Sequence, residues 1–146
     1  MLSKRSGIAV LVSLTLVVII AAILAPRLAQ PLAYHNFADR RAWLGIANFG
    51  DLVSNAGFAM VGIWGLVVLL GKPSQAQFVD SRERWPYVMV FAGMVLTAIG
   101  SSYYHLAPDN NRLVWDRLPM TIVFMALVAA MIIERISVPI GFALLP

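Results

Sequence analysis

Cysteine is absent from the 146 residues. That excludes disulfides and thiolate metal sites and leaves the redox compartment unread. Charge is scarce as well: Lys and Arg number 11 and Asp and Glu 7, so charged residues make up 12% of the chain against 60% hydrophobic. The mean hydropathy is +0.81. A soluble domain of this length needs more polar surface than those side chains can give, so the surplus apolar surface must face lipid. The net charge of +4 is spread over several loops and reads as charge set against lipid headgroups. Membrane lipids are thus expected partners, and a nucleic acid is not. Histidine is nearly missing too, with His35 and His105 the two imidazoles of the chain.

Long apolar runs are what the sequence does hold. Ile8–Ala25 is broken only by Ser13 and Thr15, with Lys4 and Arg5 before it and Pro26-Arg27 after it. At about 1.5 Å per residue it can cross roughly 30 Å of hydrocarbon. A secretory leader is the competing reading, but the run is long for one and further spans follow. Leu52–Gly71 is the second span and carries Ala56, Gly57, Ala59, Gly62 and Gly65. Tyr87–Tyr104 is the third, with Ala92, Gly93, Ala98 and Gly100. Small residues at such spacing let helix backbones approach closely in lipid. Leu118–Ile133 is the fourth, stopped by Glu134-Arg135. Residues 136–146, with Pro139 and Gly141, are expected to begin a fifth span of a longer protein, because a partial helix stranded in lipid is costly. The expected fold is an all-α polytopic membrane helix bundle forming one domain over residues 1–146. Lys72–Pro86 reads as its solvated linker.

Orientation rests on a narrow count. Lys4, Arg5, Lys72, Arg82, Arg84 and Arg135 fall on one side, and Arg27, Arg40, Arg41, Arg112 and Arg117 on the other. The larger group favours a cytoplasmic N-terminus. In a bacterium the chain would sit in the inner membrane, with the loops 27–51 and 105–117 on the periplasmic face. Those two loops share a face in either orientation, and most of the chemistry-bearing residues lie on it.

Ser101 and His105 are four apart and so share a helix face. Asp116 follows where the fourth span begins, and the short loop between returns it to the same membrane face. Imidazole is a common metal ligand, and a carboxylate can activate or orient metal-bound water. The plain alternatives are interfacial anchoring by Tyr103, Tyr104 and His105, and a simple ion pair between Asp116 and Arg117. In the first outward loop, Asp39, Asn48 and Asp51 are oxygen donors of the kind hard cations prefer. The alternative there is a solvated loop with Asp51 or Ser54 capping the second helix. Ser54 and Asn55 can hydrogen-bond between helices.

Several stretches in order carry a likeness. They are Tyr34-His35-Asn36-Phe37-Ala38-Asp39-Arg40-Arg41, Gly45-Ile46-Ala47-Asn48-Phe49, Val53-Ser54-Asn55, Gly100-Ser101-Ser102-Tyr103-Tyr104-His105 and Trp115-Asp116-Arg117-Leu118-Pro119-Met120. Together they resemble the alkaline ceramidase family, especially its bacterial members. That family lies within a broader group of seven-helix zinc-dependent membrane hydrolases that includes adiponectin-receptor-like proteins. The group's pattern is Ser-x3-His, then Asp, then a late His-x3-His pair. The resemblance implies a zinc ion held by three imidazoles and a water, with His105 the first ligand. It implies that Asp116 positions or deprotonates the water, and that Ser101 bonds to the water or the developing oxyanion. The implied reaction is hydrolysis of the amide bond in a ceramide-like lipid. A calcium site is also implied, with Asp39 and Asn48 at two ligand positions; Asn48 and Tyr34 replace acidic ligands there, which weakens calcium binding. The late His-x3-His pair is missing from this sequence. An N-terminal fragment of such a hydrolase, inactive by itself, is therefore expected, and the alternative is a non-catalytic scaffold or lipid-binding membrane protein.

Overall fold

The computed structural model describes residues 4–26, 28–37, 39–71 and 78–146. Arg27 and Lys72 of the charge count, and Ala38 of the loop motif, lie outside the described residues. The helices are α1 (Lys4–Leu24), α2 (Phe49–Ser54), α3 (Ala56–Leu70), α4 (Arg84–Leu106), α5 (Asn110–Arg135) and α6 (Val138–Ala143). Short 3-10 turns cover Leu32–His35 and Ser81–Glu83. Among the described residues the only extended pairing is a single antiparallel bridge between Trp43 and Ile46. The fold is all-α. Among the described residues four helical segments are long and apolar enough to cross a membrane: Arg5–Leu24, Phe49–Leu70, Ser81–Leu106 and Asn110–Arg135.

The chain forms two compact units, Met1–Gln30 and Pro31–Pro146. In the first, α1 carries exposed aliphatic side chains on all sides, from Val10 through Leu24, as a helix surrounded by lipid must. Thr15 donates its hydroxyl to the Leu11 carbonyl at 2.9 Å, which satisfies the polar group inside the helix.

In the second unit α4 lies between α3 and α5, and α6 packs on α5. The small residues make these seams. A Cβ at Gly62 would stand 2.8 Å from the Phe91 carbonyl oxygen, and one at Gly65 would strike the Phe91 ring. On the other face of α4, Gly93 meets Val123 and Gly100 meets the Trp115 carbonyl. Ala126 and Ala129 of α5 are fully buried. At the opposite end of the α4–α5 seam, the Tyr87 hydroxyl bonds to Glu134.

The helix ends differ from those expected. The third and fourth spans run past 87–104 and 118–133 at both ends; a polar residue outside the apolar run caps the start of α5, and another caps the 3-10 turn Ser81–Glu83 ahead of α4. Asp109 accepts from the Asn111 and Arg112 amides at 2.8 Å each, and Asp80 accepts from the Arg82 amide at 2.9 Å. The linker is correspondingly shorter than Lys72–Pro86. Arg84–Pro86 belongs to α4, where a proline in the first turn sacrifices no helical bond. The second span starts at Phe49 and is interrupted at Asn55. Neither Asp51 nor Ser54 caps it, because Asn48 takes the cap position in a left-handed conformation. Ser54 bonds back to the Asp51 carbonyl at 2.7 Å. After Arg135 the chain turns back, and Gly141 of the short α6 seats against Ile133 and the Ala129 carbonyl.

Candidate functional site at the end of α4

The last two turns of α4 hold Gly100, Ser101, Ser102, Tyr104 and His105, and three other stretches of chain close on them. Tyr104 is 2% exposed, and its hydroxyl shares a 2.7 Å hydrogen bond with His35 Nδ1. It is therefore no interfacial anchor. Tyr103 faces outward instead, with the Arg112 guanidinium 4.6 Å over its ring. Phe37 packs on both Tyr104 and His105, with ring centres 5.5 and 4.6 Å away. Tyr34 accepts a 2.8 Å bond from Arg117. Arg117 thus turns to the first loop, and among the described residues no ion pair joins it to Asp116.

His105 has two polar neighbours from the second span. Asn48 donates its amide to the His105 carbonyl at 2.9 Å, filling one of the acceptors that a helix C-terminus leaves open. Asp51 Oδ2 lies 3.9 Å from His105 Nδ1. Both atoms are buried without a hydrogen-bond partner, and the gap is longer than a hydrogen bond. A carboxylate on that side favours the tautomer with the proton on Nδ1, which leaves Nε2 as the free lone pair. One turn back, Asn55 is 5% exposed and reaches Ser102 Oγ at a long 3.4 Å.

Ser101 is buried, 7% exposed, and Asp116 lies in the second turn of α5. A Cβ on Gly100 would be 1.9 Å from the Trp115 carbonyl oxygen and 3.5 Å from the Asp116 amide nitrogen. The two helices therefore touch backbone to backbone at this level. Ser101 and Asp116 follow directly on the two sides of the crossing, and His105 lies one turn beyond Ser101.

The chain matches no family model, no curated protein and no solved structure. What the site can do follows from its own atoms. Among the described residues no three or more His, Cys, Asp or Glu side chains gather as a metal site, and His35 Nδ1 is already tied to Tyr104. His35 Nε2 is buried without a partner, so each imidazole keeps one nitrogen open, but two imidazoles do not fit a three-imidazole zinc by themselves.

The loop residues expected at a calcium site have other partners. Asp39 Oδ1 accepts from the Arg41 amide and guanidinium at 3.2 and 2.6 Å, and Oδ2 from the Gly50 amide at 2.7 Å. The Arg41 side-chain hydrogen bond holds the Asp39 carboxyl below the usual carboxylate range, and the carboxylate in turn raises the Arg41 guanidinium. A cation at Asp39 would have to displace Arg41. Asp39 thus clamps the loop to the first turn of α2. Two features escaped sequence reasoning: Asp51 beside His105, and the His35–Tyr104 pair.

Proposed function

We propose that this chain supplies one wall of a membrane-embedded hydrolase that cleaves the amide bond of a ceramide-like lipid, as its resemblance to the alkaline ceramidase family implies. Convergence carries the reading. The stretches on which the resemblance rests meet at the end of α4 through His35–Tyr104, Asn48–His105, Asn55–Ser102, Tyr34–Arg117 and Gly100–Trp115. Residues far apart in sequence that gather at one end of a membrane bundle mark a site more than a set of solvated loops.

In this reading Asp116 takes the proton of the attacking water, and Ser101 donates to the oxyanion that develops on the amide carbonyl. Asp51 orients His105, so that its Nε2 faces the reaction. A zinc ion, if His105 and further imidazoles held one here, would supply Lewis-acid polarisation of the carbonyl and a more acidic water. It needs two imidazoles besides His105, which a partner segment or chain would have to provide. A non-catalytic lipid-binding role is the second reading, favoured by the shortage of imidazoles, two where the zinc of that family takes three.

The test uses membranes from cells expressing the gene at its own locus, a fluorescent ceramide, and chelator followed by restored zinc. Hydrolysis that needs zinc, is lost in His105→Ala and Asp116→Asn, and is reduced less in Ser101→Ala supports the hydrolase. Equal turnover by wild type and both variants overturns the site. No turnover by wild type with zinc restored overturns the activity.

A further inference from the structure

The turn Trp43-Leu44-Gly45-Ile46 has the wrong residue at its tip. Its ends are joined by two backbone hydrogen bonds, Trp43 N to Ile46 O at 3.1 Å and Ile46 N to Trp43 O at 2.9 Å. Its central residues both have positive φ, +51° at Leu44 and +77° at Gly45. That conformation suits Asn, Asp or Gly at the first central position, and a leucine there is strained by its Cβ. Leu44 is nevertheless 76% exposed, and Trp43 beside it is 60% exposed. Around Gly45 there is open space, with nothing within 4 Å of a Cβ built there. A strained leucine that is also exposed gains nothing from the turn itself, which sets Leu44 and Trp43 apart as an unpartnered apolar tip.

The position of the turn says what that tip meets. The Phe49 amide bonds to the Arg41 carbonyl at 3.2 Å, so the base of the turn is tied to the first residue of the span Phe49–Leu70. The Trp43 ring lies edge-on to the Phe49 ring, centres 4.7 Å apart, which holds Trp43 level with the first turn of the span. Leu44 is the next residue, at most about 3.3 Å further along the chain. The interfacial layer beyond the hydrocarbon is about 5–8 Å thick, so the tip falls within it. Tryptophan is enriched at that depth. Arg40 is exposed and the Arg41 side chain is 84% exposed, both within four residues of the tip, where anionic phosphates lie.

We propose that this turn is a lipid-binding wedge: Trp43 and Leu44 enter the interfacial layer of the leaflet where the span begins, and Arg40 and Arg41 face the phosphates of anionic lipids. The wedge would fix the first loop, and with it His35 and Phe37, against the membrane surface. It stands apart from the proposed hydrolase chemistry, and its test does not depend on turnover.

The full chain is reconstituted in phosphatidylglycerol–phosphatidylcholine vesicles with Trp64, Trp85 and Trp115 replaced by Phe, so that Trp43 alone emits. Lipids brominated near the headgroup should quench Trp43 more than lipids brominated deep in the acyl chain. Leu44→Asn suits the positive φ and should keep or strengthen the turn while relieving the quenching, so a loss of quenching cannot be put down to unfolding. Arg40→Gln should weaken the dependence of quenching on phosphatidylglycerol. Trp43 emission indifferent to bromine at every depth, or equal quenching in Leu44→Asn, overturns the wedge. Quenching that fades as the protein-to-lipid ratio rises overturns it too, and assigns the tip to a second copy of the chain.

Discussion

Gly100→Ala puts the closest contact in the protein under load. The added Cβ would sit 1.9 Å from the Trp115 carbonyl oxygen and 2.8 Å from its carbon. Both atoms are backbone, so no side chain can swing aside. Reaching the 3.0 Å floor for such contacts requires α5 to retreat locally by about 1 Å in an interior packed like a crystal. Overpacking of this kind costs about 1–3 kcal/mol, and a backbone target belongs at the upper end. The better helix propensity of Ala offsets about 0.8–1 kcal/mol of that. A net loss of about 2 kcal/mol is expected. Gly57→Ala is the control, because nothing lies within 4 Å of its Cβ; it should be neutral or stabilise by up to about 1 kcal/mol. Denaturation of the purified protein in mixed SDS micelles, followed by tryptophan emission, measures both. If the proposed hydrolase activity holds, the same 1 Å shift carries Asp116 away from Ser101 and should cost on the order of 10²-fold in turnover. A Gly100→Ala protein as stable as wild type and the Gly57→Ala control would refute the backbone crossing.

Three further outcomes follow from the geometry. Asp51→Asn removes the charge facing His105 Nδ1; the Nδ1–H tautomer should lose population in nitrogen-15 spectra of labelled histidine, with activity down about 10–100-fold, and an unchanged tautomer ratio refutes the orienting role. Asp80 is held down to about 2 from an ordinary 3.8, chiefly by the Arg82 side-chain hydrogen bond. Because the folded value is the lower one, its hold on the turn Ser81–Glu83 is complete above pH 3.8 and is lost as pH falls from there toward about 2. Protection of the Arg82 amide in hydrogen exchange should follow that window in wild type and not in Asp80→Asn. Pro119→Ala restores the amide that Trp115 lacks, so Gly100→Ala and Pro119→Ala should couple by 0.5 kcal/mol or more in a double-mutant cycle, whereas additive effects would show the two positions to be independent.

The spans were legible because lipid demands uniform apolarity over about 20 residues, and little else in a sequence has that form. Their ends were not, because they lie among polar residues outside the apolar runs, as where Asp109 caps the start of α5. Ser101 and His105 could be paired from their spacing. Asp51 was read either as a cation ligand or, with Ser54, as a candidate cap, because the helix was taken to start at Leu52. Asn48 in the left-handed region and the Phe49–Arg41 bond begin the helix earlier and turn Asp51 toward His105. For Tyr104 a signal was available: it lies four and three residues from Gly100 and Ser101, on the face that the small residues reserve for packing, while Tyr103 points away from it. His35 gave no such signal, since its partner is 69 residues distant.

Pro119 and Gly100 act as one device. A proline in mid-helix removes the donor for the carbonyl four residues earlier, which here is Trp115. An unmet carbonyl in lipid is expensive. Gly100 stands against that carbonyl, and an α-hydrogen of glycine pointing where a Cβ would go can serve it as a weak donor. A bulkier residue could not come so near, and a helix without the proline would have no carbonyl to offer. The meeting of Gly100 with the Trp115 carbonyl brings α4 and α5 together at this level, and the next residue along each helix is Ser101 on one and Asp116 on the other. The placement of Ser101 and Asp116, the two groups proposed for oxyanion binding and proton transfer, therefore depends on backbone contact rather than on side chains.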